Sequence, residues 1–143
     1  MSEATSDFRL FLAEDNAADV FIFREALCQL TTPTDLEVCS RGDVAQQTLA
    51  EAAEKGAPPD LIVLDLNLPR LSGLELLDFL AATPALKSVP AVVLSSSGAS
   101  SDIAASRGKG ARAYLVKPME YERFVTMVAA MVAFWRFVAK GEE

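Results

Sequence analysis

The sequence predicts a three-layer α/β protein in which a parallel sheet lies between two layers of helices. Short apolar runs alternate with helical patterns along the chain, and no hairpin turn joins two of the runs. Four consecutive branched aliphatic residues at positions 61–64 are typical of a strand that is buried on both faces. Right-handed crossovers through helices are the expected connections between such strands.

The predicted strands are short and rich in β-branched, leucine and aromatic residues. They cover residues 8–13, 36–39, 61–65, 91–94 and 113–116.

The predicted helices fill the intervals between and after the strands. They cover residues 17–30, 43–55, 73–82, 101–107 and 121–139. Asn16 is the expected N-cap of the first helix, because its side-chain oxygen can accept a hydrogen bond from an unpaired amide. Helix-breaking residues follow the first four helices, namely Pro33, Gly56, Pro84 and Gly110.

The composition indicates a globular domain and excludes several classes of function. The chain has 143 residues, 51% of them hydrophobic and 23% charged, which suits a single domain over residues 1–143. Its net charge of −7 disfavours binding to nucleic acid, which rewards clustered lysine and arginine. The absence of histidine excludes histidine-based triads and histidine-ligated zinc. We expect a cytoplasmic protein with no membrane association, since no stretch resembles a signal peptide or a spanning helix.

Acidic, hydroxyl and ammonium side chains stand at the ends of four predicted strands. Glu14 and Asp15 follow the first strand, and Asp65 closes the third. Ser95 follows the fourth strand and Lys117 follows the fifth. The carboxyl ends of parallel strands meet at one edge of the sheet, where open α/β sheets bind ligands. Three carboxylates there repel one another unless a cation is bound, and Mg²⁺ fits oxygen ligands best, so the set predicts a site for Mg²⁺ and a phosphoryl group.

Each of these residues taken alone has a plain structural explanation. Glu14 and Asp15 could form a solvated turn before the first helix, and Ser95 could be an ordinary turn residue. Lys117 could be solvated, while Pro118 after it leaves open a cis peptide bond that would direct the ammonium group into the crevice. The functional interpretation therefore depends on the whole set, in this order, at successive strand ends.

Several stretches of the sequence together resemble one family. They are residues 14–20 (EDNAADV), 25–27 (EAL), 65–70 (DLNLPR), Gly73 and residues 110–118 (GARAYLVKP). In combination they resemble the receiver domain of two-component response regulators, in the variety associated with bacterial phytochrome kinases. The resemblance covers about residues 8–138 and implies a flavodoxin-like, doubly wound sheet of five parallel strands in the order 2-1-3-4-5. We expect no output domain in this chain.

The resemblance implies a phosphoryl acceptor and a set of metal ligands. Asp65 would be the phosphoacceptor. Mg²⁺ would be held by Glu14, Asp15, Asp65 and the backbone carbonyl of Asn67.

The resemblance also implies how the phosphoryl group is bound and sensed. Ser95 would donate a hydrogen bond to a phosphoryl oxygen, and Lys117 would pair with the phosphoryl charge. Tyr114 would be the switch aromatic that moves inward when Ser95 is drawn to the phosphate. Threonine is commoner in the family at the position of Ser95, and a neighbour in the run 95–97 stays an alternative.

The implied function is that of a stand-alone response regulator, a signalling switch and not an enzyme. Its partner would be a sensor histidine kinase, with a bacterial phytochrome as the candidate. The alternative is a phosphorelay intermediate that passes phosphate to a histidine phosphotransfer protein.

Two other classes of protein fit the sequence less well. A haloacid-dehalogenase-type phosphatase would need an acid at the position of Asn67, two residues after the nucleophile. A flavodoxin-like cofactor binder would need a phosphate-cradling loop where this chain has Glu14 and Asp15.

The last predicted helix has a wider apolar arc than a single buried face requires. At about 100° per residue, a core stripe is formed by Phe124, Val128, Met131, Trp135 and Val138. The arc is extended to about 180° by Met127, Phe134, Val125 and Val132, and Phe137 lies outside even this arc. We therefore expect a homodimer across the last helix and the fifth strand.

Overall fold

The predicted alternation of strands and helices is confirmed in residues 8–140, the part of the chain that this computed structural model describes. The strands are β1 (Arg9–Ala13), β2 (Asp35–Cys39), β3 (Leu61–Leu64), β4 (Ala91–Ser95) and β5 (Ala113–Val116). The helices are α1 (Ala17–Cys28), α2 (Gly42–Glu54), α3 (Gly73–Ala82), α4 (Ser100–Gly108) and α5 (Tyr121–Lys140). All strand pairs are parallel, and the order β2-β1-β3-β4-β5 confirms the predicted flavodoxin-like topology.

Two apolar clusters lie on opposite faces of the sheet and give the fold its three layers. Alternate residues of β3 divide between them, because successive strand side chains point to opposite faces. Ile62 and Leu64 pack with buried leucines of α2 and α3. Leu61 and Val63 pack with buried residues of α1 and α5. All four side chains of β3 are fully buried, as the sequence predicts.

The helix ends follow from local hydrogen bonding. The predicted N-cap is confirmed, since the Asn16 side chain accepts a hydrogen bond from the amide of Asp19 at 3.0 Å. Ser72 and Glu75 form a reciprocal capping box at the start of α3, which our sequence analysis missed. Helix α1 ends at Cys28, two residues before the predicted end, because the next two amides donate to carbonyls three residues back.

Helix α5 buries a different arc from the predicted one. Val138, predicted in the core stripe, is half exposed, whereas Val125, predicted outside it, is buried. The buried residues therefore centre near Val128 and not near Phe124, a rotation of about 40° about the helix axis.

None of the described helices combines the length and the apolar character that crossing a membrane requires.

Two glycines allow the loop after β3 to pack closely against the starts of two helices. A Cβ atom on Gly73 would lie 2.4 Å from the carbonyl oxygen of Asp65. The Gly73 amide donates a hydrogen bond to the carbonyl of Leu66 at 2.9 Å. A Cβ atom on Gly42, at the start of α2, would lie 1.7 Å from the carbonyl oxygen of Leu71. The close approach of Gly73 therefore helps to fix the position of Asp65.

We predict that Gly73→Ala lowers the free energy of unfolding by about 2 kcal/mol or more, because the Asp65 backbone must move to admit the methyl group. Gly108→Ala is the matched control, since a Cβ atom there meets no atom within 4 Å. In a helix this substitution is expected to stabilise by about 0.5–1 kcal/mol. Urea unfolding measures both changes, and wild-type stability of Gly73→Ala would contradict the close packing.

Candidate functional site

Backbone hydrogen bonds place the predicted site residues just beyond the ends of the central strands. The amide of Glu14 donates to the carbonyl of Cys39 at 3.0 Å. The amide of Asp65 donates to the carbonyl of Ala13, also at 3.0 Å. Each residue therefore continues the sheet ladder by one position and holds its side chain at the carboxyl edge, where the sequence predicts the site.

Three carboxylates come together at this edge. One oxygen each from Glu14, Asp15 and Asp65 lies within 4.8 Å of the others. Glu14 and Asp65 are only 3% and 7% exposed, whereas Asp15 is open to solvent. The amide of Asn67 donates to Asp65 Oδ1 at 3.3 Å, which keeps the backbone of residue 67 beside the acceptor. Oxygen atoms alone make up this donor set, and such a set fits a hard divalent cation.

The ammonium group of Lys117 is surrounded by carboxylates. Its Nζ atom lies 2.8 Å from Glu14 Oε1, 2.7 Å from Asp19 Oδ2 and 3.1 Å from Asp65 Oδ2. An ammonium group has three donors, so each can serve one carboxylate. The Lys117 backbone is tied to β4, since its amide donates to the carbonyl of Ser95 at 2.8 Å.

The Lys117–Pro118 peptide bond is trans, so the cis geometry that the sequence left open does not occur. The trans chain already directs the ammonium group to the carboxylates, because the backbone hydrogen bond to β4 orients residue 117.

Asp19 is a member of this ion cluster that our sequence analysis did not single out. It lies in the first turn of α1, four residues after Asp15, and its side chain is 20% exposed. The available signal was its spacing, because a first-turn residue of a helix that starts at the sheet edge can face that edge.

Burial and the neighbouring charges have opposite effects on the pKa values of Glu14 and Lys117. Burial raises the pKa of Glu14 from its ordinary value of 4.5 to about 7, although the hydrogen bond from Lys117 opposes the rise. Burial alone would lower the pKa of Lys117, but the hydrogen bonds to Asp19 and Glu14 and the nearby negative charge outweigh burial and raise it. The lysine is therefore fully charged, and without a cation the cluster carries excess negative charge.

An open cleft of about 480 Å³ leads from the solvent to Asp65. Its lining includes every side chain of the site except Glu14 and Ser95, together with Ser96 and an apolar rim: Asp15, Asn16, Asp19, Ile22, Asp65, Asn67, Ser96, Lys117, Pro118, Met119 and Phe124. Ser95 is completely buried as the last residue of β4, so the structure places Ser96, and not Ser95, along the wall of the cleft.

A hydrogen-bond network joins the end of β4 to β5 and α4. The amide of Ser97 donates to Ser95 Oγ at 3.1 Å, and the hydroxyl of Tyr114 donates to the carbonyl of Ser97 at 2.7 Å. The hydroxyl of Ser97 donates to Asp102 Oδ2 at 2.6 Å, in the first turn of α4. A movement of Ser95 would therefore change the hydrogen bonding of both neighbouring elements.

Comparisons with known proteins agree with this geometry. The sequence model of the family described as "Response regulator receiver domain" matches residues 10–129. The chain is 34% identical over 128 residues to response regulator Rcp1 of Synechocystis sp., covering 88% of this chain and 87% of that protein.

Two solved structures are similar in both fold and sequence. The phosphorylated cyanobacterial phytochrome response regulator RcpA superposes with a TM-score of 0.84 at 35% identity, covering 90% of this chain and 93% of that one. The Mn²⁺-bound form of Rcp1 gives a TM-score of 0.80 at 32% identity, covering 90% and 94%.

Replacing Glu14 by glutamine should flatten the pH dependence of stability in the metal-free protein. With a pKa of about 7 in the folded state and an ordinary 4.5 in the unfolded chain, Glu14 releases a proton on unfolding between these values. The free energy of unfolding therefore falls as pH rises through this window, and the loss is complete above it. Urea unfolding in the presence of a chelator measures the slope, and parallel curves for wild type and Glu14→Gln would contradict the assignment.

Proposed function

The chain belongs to the response regulator receiver domain family, and on that basis we propose that it accepts a phosphoryl group on Asp65 from a partner histidine kinase. Receiver-domain response regulators are signalling proteins. The observation that carries the proposal is the position of Asp65, which is nearly buried yet lies at the end of an open cleft with the Lys117 ammonium 3.1 Å away.

The reaction is proposed to depend on Mg²⁺, held by Glu14, Asp15, Asp65 and the backbone carbonyl of Asn67. The clustered carboxylate oxygens support this assignment, and the relative Rcp1 has been solved with Mn²⁺ bound. A bound Mg²⁺ ion supplies charge neutralisation at the transferring phosphoryl oxygens.

In the transfer step, a carboxylate oxygen of Asp65 forms a bond to phosphorus while the phosphorus–nitrogen bond of the partner's phosphohistidine breaks. The bonding electron pair returns to the imidazole ring. The chain positions the acceptor and, through Lys117, neutralises the phosphoryl charge, which is the main contribution that phosphoryl transfer requires. The position two residues after the acceptor is Asn67, so the chain lacks the second acid of an aspartate-based phosphatase there.

The conformational switch is proposed to begin at Ser95. Its hydroxyl would leave the amide of Ser97 and donate to a phosphoryl oxygen. The carbonyl of Ser97 would then move relative to the Tyr114 hydroxyl, and Tyr114 would turn inward from its present partly buried position. The hydrogen bond between Ser97 and Asp102 offers a path for this change to reach α4.

The proposed donor is a histidine kinase of the phytochrome type. The relative RcpA is a phytochrome response regulator, which supports this choice. A kinase must bring its phosphohistidine through the cleft to Asp65, and the cleft has an apolar rim that includes Ile22, Pro118 and the fully exposed Met119. These side chains are suited to contact a partner protein around the transferring group.

A homodimer through α5 and β5 is the proposed assembly. Phe134, Phe137 and Val138 are each about half exposed and fall within about 100° of one another on α5. Val116 is also exposed on β5, which is an edge strand of the sheet. A two-fold contact would cover this apolar surface with the same surface of a second copy.

The first test is labelling with acetyl phosphate or a phosphorylated kinase in the presence of Mg²⁺. Wild type should gain one phosphoryl group, and Asp65→Asn should gain none because the nucleophilic carboxylate is absent. Intact-protein mass spectrometry measures the gain. Full labelling of Asp65→Asn would overturn the assignment of the acceptor.

Ser95→Ala and Ser96→Ala separate the two candidate hydroxyls. If Ser95 senses the phosphoryl group, Ser95→Ala should still be labelled but should lose the phosphorylation-dependent change in the NMR signals of Tyr114. Ser96→Ala should keep that change, although Ser96 lines the cleft. The reverse result would show that Ser96, and not Ser95, senses the phosphoryl group.

Phe137→Glu should weaken the dimer, because it places a charge in the apolar patch. Phe21→Glu is the matched control, since Phe21 is 58% exposed on α1 and Phe137 is 51% exposed on α5. Light scattering at micromolar concentration should give about twice the monomer mass for wild type and Phe21→Glu, and a lower mass for Phe137→Glu. A wild-type monomer in both phosphorylation states would contradict the dimer.

A further inference from the structure

Asp19 holds the ammonium group of Lys117 from outside the proposed metal site. Its Oδ2 atom lies 2.7 Å from Nζ, the shortest of the three ion-pair distances that Lys117 makes. Asp19 is not among the three carboxylates grouped within 4.8 Å of one another. Its backbone is fixed, because its amide donates to the N-cap side chain of Asn16 at 3.0 Å.

The other two partners of Lys117 are the carboxylates that the metal needs. Glu14 and Asp65 lie at 2.8 Å and 3.1 Å from the ammonium, and both belong to the proposed Mg²⁺ site. The Lys117 ammonium group and a metal ion therefore compete for the same two carboxylates. A lysine without another partner would stay paired with these two carboxylates and oppose the binding of the cation.

We propose that Asp19 is a positioning residue that retains the Lys117 ammonium when Mg²⁺ takes the oxygens of Glu14 and Asp65. It gives the displaced lysine a charged partner in a site from which most water is excluded, where an unpaired ammonium is costly. Asp19 thereby raises the affinity for Mg²⁺ without binding the cation and keeps Lys117 beside Asp65 for the phosphoryl group. This inference rests on the proposed function.

The competing explanation is that Asp19 attracts the cation only as one more nearby negative charge. A double-mutant cycle separates the two explanations, because an effect carried by Lys117 must disappear when Lys117 is absent. A charge effect on the metal would persist without the lysine.

The experiment measures Mg²⁺ affinity by calorimetry for wild type, Asp19→Asn, Lys117→Gln and the double variant, with folding checked by circular dichroism. Asp19→Asn should weaken binding about fivefold in the wild-type background, the scale of one lost charge-assisted hydrogen bond, and less than about twofold in the Lys117→Gln background. Asp78→Asn is the matched control, since Asp78 pairs with Lys109 at 2.9 Å on the exposed surface. It should bind as wild type does.

Equal affinity of Asp19→Asn and wild type would overturn the inference, as would the same fivefold loss in both backgrounds. If Lys117→Gln does not fold, the ammonium NMR signal of Lys117 in Mg²⁺-loaded protein replaces the cycle. That signal should exchange slowly in wild type and be lost in Asp19→Asn, and its retention would overturn the inference. Wild type that binds no Mg²⁺, or Asp15→Asn that binds as tightly as wild type, would instead overturn the proposed metal site.

Discussion

The pairing of one ammonium group with several carboxylates is the interaction on which the site depends. Isolated charges are costly to bury, yet Glu14, Asp65 and Lys117 all lie nearly out of solvent. They can do so because the positive charge of Lys117 offsets the negative charges of Glu14 and Asp65. Asp19 is a third and more exposed partner of the same lysine. Burial raises the pKa of Glu14 despite the hydrogen bond from Lys117, and the negative charge of the cluster exceeds the one positive charge of Lys117, so a divalent cation would complete the charge balance. In the proposed function, the bound cation also offsets the negative charge that would otherwise repel an incoming phosphoryl group.

The sheet supplies the rigidity that this arrangement needs. Strand β3 is buried on both faces, and Asp65 follows it directly, with its amide bonded to β1. Lys117 is tied in the same way to β4, so backbone hydrogen bonds to neighbouring strands position both Asp65 and Lys117. The close approach of Gly73 to the Asp65 carbonyl also restricts the movement of the loop between β3 and α3. In the proposed function, this rigidity would hold Asp65 in one geometry for the transfer and would pass a small movement of Ser95 to its neighbours.

Much of this could be predicted from the sequence, because strand ends in a parallel sheet meet at one edge. The residues Glu14, Asp15, Asp65 and Lys117 were found on that basis, and the N-cap at Asn16 followed from side-chain chemistry. What could not be predicted depends on how elements rotate against one another. Asp19 faces Lys117 because of the direction in which α1 leaves β1. The burial of Val125 and the exposure of Val138 follow from a rotation of α5 on the sheet, which periodicity alone does not fix, since the apolar arc of this helix is wider than its buried face.

In the proposed function, the carboxylates at the strand ends bind Mg²⁺ while Lys117 pairs with a phosphoryl group on Asp65. A crystal structure with Mg²⁺ and beryllofluoride, which mimics an aspartyl phosphate, tests it most directly. We expect one cation with oxygen ligands from Glu14, Asp15, Asp65 and the Asn67 carbonyl, and the Lys117 ammonium group within hydrogen-bond distance of a fluorine atom. Beryllofluoride on another residue, or a Lys117 ammonium group that contacts carboxylates alone, would contradict this proposal.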